Sequence, residues 1–213
     1  GKPFVLILSN GRPLELCRLE PVCDAIVEIW QPGIAGGKPL AGILTGRIHP
    51  SGKLPITFPY ATGQIPIYYN RRQSARPHQG KYQDLTIEPL YEFGHGLSYT
   101  TFEYGDLKAS ATQLKRGDKL SVEVAVTNTG DRDGAETVHW FITDPYSTIT
   151  RPVKELKYFE KQTIRAGETR TFRFEVDLLR DLGFIDGDGK RFLEKGTYYV
   201  QVKDKKVKLE LID

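Results

Sequence analysis

The chain has 213 residues, 39% hydrophobic and 11% aromatic, which is enough for one or two domains with packed cores and too apolar for a disordered chain. Its formal charge is only +3, with 30 Lys and Arg dispersed among 27 Asp and Glu, so it has no basic stripe to neutralise phosphates and no nucleic-acid partner is expected. No apolar run approaches the roughly 18 residues of a membrane span.

In chain order, FVLIL at 4 to 8 reads as a buried strand running into a Ser-Asn-Gly turn. AIVEIW at 25 to 30 is a second strand, closed by Gln-Pro-Gly. From Ala35 the period is helical, with Leu40, Ile43 and Leu44 at i, i+3, i+4 and Gly46 as the stop. KLPITFP, ending at Pro59, reads as a third, short strand flanked by prolines. Alternating strand and helix over residues 1–59 points to a parallel sheet covered by helices, of which two or three strands form only part. Residues 60–104 carry little periodicity and are expected to be a long linker loop.

From Leu120 the period is two. Leu120, Val122, Val124 and Val126 share one face; Val138, Trp140 and Ile142 repeat the pattern, as do Phe172, Phe174 and Val176. Tyr198 to Val202 and Val207 to Leu211 form a final pair, and weaker strands near Leu107 and over Glu155 to Phe159 bring the count to about seven. The expected fold is therefore an α/β partial sheet layer followed by an all-β immunoglobulin or fibronectin III-like sandwich. Trp140 is expected in its core, and Tyr198 stands where a tyrosine corner would fall.

Few residues point to chemistry. PGIAGGKP at 32 to 39 is not a phosphate loop, because its glycines are too close and Pro39 replaces the Ser or Thr that would reach magnesium. IDGDGKRF at 185 to 192 lacks an oxygen ligand at Lys190 and reads as a Gly-rich hairpin turn rather than a calcium loop. Cys17 and Cys23 fit a local disulfide or two small buried apolar side chains. His49, His78, His95 and His139 are scattered without metal-ligand spacing, so no metal or cofactor is expected. His139 reads as plain surface; His95, between two glycines, is the histidine most worth following. Acid–base chemistry would need paired carboxylates, and the loop offers Asp84, Glu88 and Glu92 with nothing in the sequence that pairs or buries them, so they read as solvated loop charges. No catalytic residue is therefore expected here.

Several blocks in a fixed order carry a resemblance: GKPFVLILSNGRPL at 1 to 14, DAIVEIWQPGIAGGKPLAGILTGRIHPSGKLPITFP at 24 to 59, QIPIYYN at 64 to 70, PLYEFGHGLSYTTFEY at 89 to 104, then NTGDRDGAETV and TRPVKELKYFEK. Together they resemble the C-terminal part of glycoside hydrolase family 3, the β-glucosidase family, over nearly the whole chain. The resemblance implies a retaining, exo-acting parent enzyme, periplasmic or secreted, that acts on β-linked glucosides or oligosaccharides. It places the Asp nucleophile and, in many members, the acid/base Glu upstream of the GKP block. With no Met anywhere, position 1 included, the chain is expected to be a cut piece of that enzyme. The expected domains are then the end of the α/β sandwich domain at 1–59, the linker loop at 60–104 and the fibronectin III-like domain at 105–213. Ser74-Ala75-Arg76-Pro77 departs from relatives that carry Gly before Arg-Pro, which leaves the local turn open. A severed sheet would expose edges and apolar faces, so a homodimer or a loosely held N-terminal half is expected. The rival reading is a non-catalytic carbohydrate- or protein-binding module, with Tyr68, Tyr69 and Tyr82 as exposed aromatics.

Overall fold

The computed structural model describes residues 1–73 and 85–213, and the chain divides into two compact units. The first comprises residues 1–69 and the described stretch 85–99; the second comprises residues 70–73 and 100–213. Ser74, Ala75, Arg76, Pro77, His78, Tyr82 and Asp84 lie outside the described residues.

In the first unit β1 (Val5–Leu8) pairs in parallel with β2 (Ala25–Glu28), Val5 opposite Ala25 and Leu8 opposite Glu28. Parallel strands need a crossover, supplied here by residues 9 to 24 with a short 3-10 turn at Glu20–Val22. The α-helix α1 (Gly37–Leu44) follows a turn at Gly33, whose φ of 66° suits glycine. Gly46, at φ 71°, sits just beyond its end. Leu8, Leu16 and Phe58 form a small core with Trp30, Leu54 and Tyr91 around it.

KLPITFP does not form the expected third strand. Pro55 and Pro59 have no N–H to offer a ladder, so the segment makes one isolated antiparallel bridge, Phe58 to Tyr91. Its remaining amides still pair: Leu54 donates to the His95 carbonyl at 2.8 Å and Phe58 to the Tyr91 carbonyl at 2.9 Å. Cys17 and Cys23 are free thiols, half-buried rather than buried, and the Cys17 thiol lies 3.7 Å from the Glu15 carboxylate it donates to. Among the described residues no helix is long and apolar enough to cross a membrane.

The second unit is a two-sheet sandwich. Its strands are β3 (Phe102–Tyr104), β4 (Lys108–Ala109), β5 (Gln113–Leu114), β6 (Leu120–Asn128), β7 (Gly134–Thr143), β8 (Glu155–Ile164), β9 (Thr169–Val176), β12 (Gly196–Val202) and β13 (Lys205–Leu211), with a small hairpin of β10 (Phe184–Ile185) and β11 (Arg191–Phe192). One sheet runs β5-β13-β12-β7-β8; in the other, β6 pairs along its length with β9, and β3 and β4 take successive stretches of its register. The connections from β6 to β7 and from β8 to β9 pass between the sheets, as in an immunoglobulin-like sandwich. Strands occur at or beside all seven expected positions; β3, β5 and the β10–β11 hairpin are additional.

The inward faces follow the period-two pattern. Val122, Val126, Val138, Trp140, Phe172, Val200 and Leu209 are each fully buried at 0% exposure, so apolar side chains from both sheets supply the core. In the β10–β11 turn, Asp186 Oδ1 accepts from the amides of Asp188 at 3.0 Å and Lys190 at 2.8 Å, and Gly189 takes φ 78°. The carboxylate is thus occupied by the turn itself, as expected of a hairpin rather than a cation loop.

Buried polar groups lock this core. Asn128, 0% exposed, donates to the carbonyls of Arg132 at 2.7 Å and Ile164 at 3.0 Å, and accepts from Thr100 at 2.6 Å and Gly130 N–H at 3.1 Å. Glu136, 2% exposed and in phase with Val138 and Trp140, accepts from the Tyr104 hydroxyl at 2.7 Å. Lys203 Nζ stands 3.6 Å from Glu136 and 3.8 Å above the Tyr104 ring, so the buried carboxylate faces a cation.

Tyr198 closes the tyrosine corner, its hydroxyl donating to the Glu194 carbonyl at 2.7 Å. Burial, seconded by Asp144, pushes its pKa from 10.0 up to about 12. The folded state therefore keeps a proton that the unfolded chain loses above pH 10.0, and stability falls as pH rises from there towards about 12. The loss reaches about 2–3 kcal/mol for two pKa units. Burial raises the Tyr104 pKa in the same direction. Urea melts across this window are expected to show the decline, and Tyr198→Phe is expected to remove its share; a slope unchanged by Tyr198→Phe contradicts the assignment.

Candidate functional site

The segment PLYEFGHGLSY at 89 to 99 folds onto residues 52 to 58 of the first unit. Gly94 N–H donates to the Leu54 carbonyl at 2.8 Å with φ 83°, and the Lys53 ammonium donates to the Gly96 carbonyl at 2.8 Å. A Cβ at Gly96 would stand 2.2 Å from the Gly52 carbonyl oxygen, so the close approach of the two segments requires glycine there. The two glycines around His95 thus answer a packing need, and part of the expected linker is hydrogen-bonded structure. Residues 70–73 instead attach to the second unit, where Val153 N–H donates to the Arg71 carbonyl at 2.9 Å.

Aromatic rings form a chain along this segment. Trp30 packs on Phe58 with ring centroids 6.0 Å apart, Phe58 on Tyr91 at 6.4 Å, and His95 stacks on Tyr91 at 4.9 Å. Tyr99 meets His49 edge-on at 5.8 Å, and its hydroxyl donates to the Ile43 carbonyl at 2.8 Å. Partial burial lowers the His95 pKa, Lys53 lowers it further, and Glu92 acts against both. The ring is accordingly neutral at neutral pH, able to donate and accept hydrogen bonds.

Of the loop carboxylates weighed in the sequence, Glu88 and Glu92 lie among the described residues. Glu88 and Glu92 are both exposed; Glu88 N–H donates to Thr86 Oγ1 at 3.0 Å, and His95 N–H to the Glu92 carbonyl at 3.0 Å. Of the aromatics considered for binding, Tyr68 is 61% exposed, whereas Tyr69 is half-buried and stacked on Phe93 at 4.3 Å. His139 is not plain surface. It is half-buried between Phe141 at 6.2 Å and Phe159 at 6.3 Å on the outward face of β7 and β8. No group of three or more His, Cys, Asp or Glu that could hold a metal occurs among the described residues.

The second unit holds a group that composition does not reveal. Arg151, its side chain 5% exposed, reaches Asp144 Oδ2 at 3.3 Å, Glu155 Oε2 at 2.7 Å and the Leu182 carbonyl at 3.3 Å, with Phe184 under the guanidinium at 5.2 Å. Burial raises the Asp144 pKa, against the pull of Arg151. The arrangement ties both ends of the loop between β7 and β8 and holds no substrate-facing carboxylate.

Comparison with known proteins accords with both units. Residues 1–99 match the family described as glycosyl hydrolase family 3 C-terminal domain, and residues 136–206 match the fibronectin type III-like domain. The chain is 43% identical to a periplasmic beta-glucosidase of Salmonella typhimurium, covering 94% of this chain and 27% of that protein. It is 36% identical to a beta-xylosidase of Formosa agariphila, covering 95% of this chain and 28% of that one. The crystal structure of a beta-glucosidase from Listeria innocua in complex with glucose superposes with a TM-score of 0.90 at 39% identity, over 99% of this chain and 31% of that chain. The chain thus spans about a quarter to a third of the length of these relatives and corresponds to their C-terminal part.

Proposed function

We propose that this chain, which matches the glycosyl hydrolase family 3 C-terminal domain over residues 1–99 and a fibronectin type III-like domain over residues 136–206, is the C-terminal part of a retaining, exo-acting β-glucosidase-type enzyme of that family. The intact enzyme releases terminal sugars from β-linked glucosides or oligosaccharides in a periplasmic or secreted setting. The observation that carries the reading is the match of 94% of the chain, both units in order, to a periplasmic beta-glucosidase. In this reading residues 1–59 are the end of the α/β layer, 60–104 link it onward while folding in part with the first unit, and 105–213 form the fibronectin III-like domain; the catalytic carboxylates come from elsewhere in the polypeptide. Exposed apolar side chains on the first unit, Phe4, Val22 and Ile34, support a protein contact there, which the proposal assigns to a homodimer.

The non-catalytic binding module remains the second reading, favoured by the exposed Tyr68. Against it stands the parallel pair β1–β2, which a binding module would not need.

The 213-residue chain is expected to hydrolyse no aryl β-glucoside above the buffer rate when assayed at high concentration beside a full-length relative. The physical reason is the exposure of Glu88 and Glu92, which lack the enclosure that a glycosidase acid and nucleophile require. Turnover abolished by Asp84→Asn, Glu88→Gln or Glu92→Gln would place the chemistry in this chain after all.

A further inference from the structure

The loop between β7 and β8 carries Tyr146 at its tip, 81% exposed. A single exposed aromatic is ordinary. This one sits on a loop fixed from three directions. Asp144, itself buried at the start of the loop, is paired to Arg151 near its end at 3.3 Å. Glu194, from the segment before β12, accepts from Ser147 Oγ at 2.8 Å, from Thr148 N–H at 3.1 Å and from Thr148 Oγ1. Arg116 in turn donates to the Leu193 carbonyl at 2.8 Å, tying that segment in place. The ring is thus presented at the surface by a backbone that has already lost its freedom.

Beside it lies an open groove of about 940 Å³, lined by Tyr146, Phe192, Arg116, Glu194 and Lys195. Phe192 is 45% exposed and held edge-on by Phe184 at 5.7 Å, so the groove has a second braced aromatic. Pro145 and polar side chains complete the lining; the Glu194 carboxylate accepts from Ser147 and Thr148, and the cations at the rim are Arg116 and Lys195, the latter 3.6 Å from Asp213 in an exposed pair.

We propose that this groove is a non-catalytic subsite for a neutral β-linked gluco-oligosaccharide, with Tyr146 as the stacking platform. A β-glucopyranose ring has apolar C–H faces and a rim of equatorial hydroxyls. An exposed tyrosine ring covers such a face, and Arg116 and Lys195 are placed to donate to rim hydroxyls. Rings fixed before binding keep the entropic cost of association low, which is what a weak, shallow site requires. The choice of glucose as the sugar rests on the β-glucosidase reading; the stacking geometry does not.

The test is titration of the full 213-residue chain with cellohexaose and with laminarihexaose, followed by amide chemical shifts and by calorimetry. Saturable binding with a Kd of about 1 mM or tighter is expected, with shifts at Tyr146, Ser147 and Lys195. Tyr146→Ala is expected to weaken it at least about fivefold without moving the melting curve, because the side chain is exposed. Tyr146→Phe, which keeps the platform, is expected to retain it. No saturation by about 10 mM of either sugar overturns the subsite. So does binding that survives Tyr146→Ala, or shifts confined to another face. Because hydrolysis is not measured, an inactive chain that binds, or an inactive chain that does not, separates this inference from the hydrolase reading.

Discussion

Replacing Arg151 with Ala is expected to destabilise the second unit by about 3–5 kcal/mol, because it strands Asp144 as a buried, uncompensated carboxylate. The Asp144 side chain is only 3% exposed, so water cannot replace the lost partner. The same substitution frees the Leu182 carbonyl and removes the stack on Phe184. Arg151→Lys is expected to rescue only part of the loss, since one ammonium cannot reproduce the planar fork that meets Asp144, Glu155 and a carbonyl together. Asp144→Asn is expected to cost much less. Burial raises the Asp144 pKa, so the folded protein already disfavours its charge, and the contribution of this group to stability rises as pH falls towards the ordinary carboxylate range. Urea denaturation at neutral pH reads all three variants, and thermal melts are expected to show a fall of about 12–20 °C for Arg151→Ala. A cost for Arg151→Ala no larger than that for Asp144→Asn would show that the buried pair does not anchor the unit.

Trp140→Ala is expected to cost a similar 3–5 kcal/mol, by a different route. Trp140 is 0% exposed on β7 and packs against Phe174 with ring centroids 6.0 Å apart, so truncation leaves a cavity between the two sheets. Its indole N–H, however, is buried without a hydrogen-bond partner among the described residues. An orphaned donor carries its own penalty of about 1–3 kcal/mol. Trp140→Phe removes that donor while keeping most of the ring, and is expected to cost less than about 2 kcal/mol. Denaturant midpoints of the two variants decide the matter. A loss below about 1 kcal/mol for the alanine would mean that the sheets collapse into the space without penalty.

These two sites differ in how far they could be read in advance. Trp140 stands in phase with Val138 and Ile142, and alternation alone assigns it to the core, because a strand's side chains can take only two faces. The same rule finds the inward valines of β6 and the phenylalanines of β9. The order of the glycine- and proline-rich blocks, from GKPFVLIL to PLYEFGHGLSY, was sufficient for the family, since each block meets a local need such as the close approach at Gly96. β1, β2 and α1 were equally legible, each being a local run of one period.

Arg151 and Asp144 carried no such signal, and Glu136, although in phase with Val138 and Trp140, is of a type that argues against burial. A charged residue type reads as solvated surface, and what buries these three is a partner far off in the chain: Leu182 lies 31 positions from Arg151, and Tyr104 lies 32 from Glu136. Tyr146 likewise looks like any loop tyrosine until Glu194, at 46 and 47 positions' remove, takes up the hydroxyls and amide beside it. KLPITFP went the other way: its residues favour a strand, but its prolines leave the ladder too few donors, and only the return of the chain at Tyr91 shows how many remain paired. Periodicity is a property of neighbours along the chain, so residue order determined the elements, the inward faces and the family. Burial of charge and the rigidity of loops depend on which distant groups meet, so only the tertiary structure could decide them.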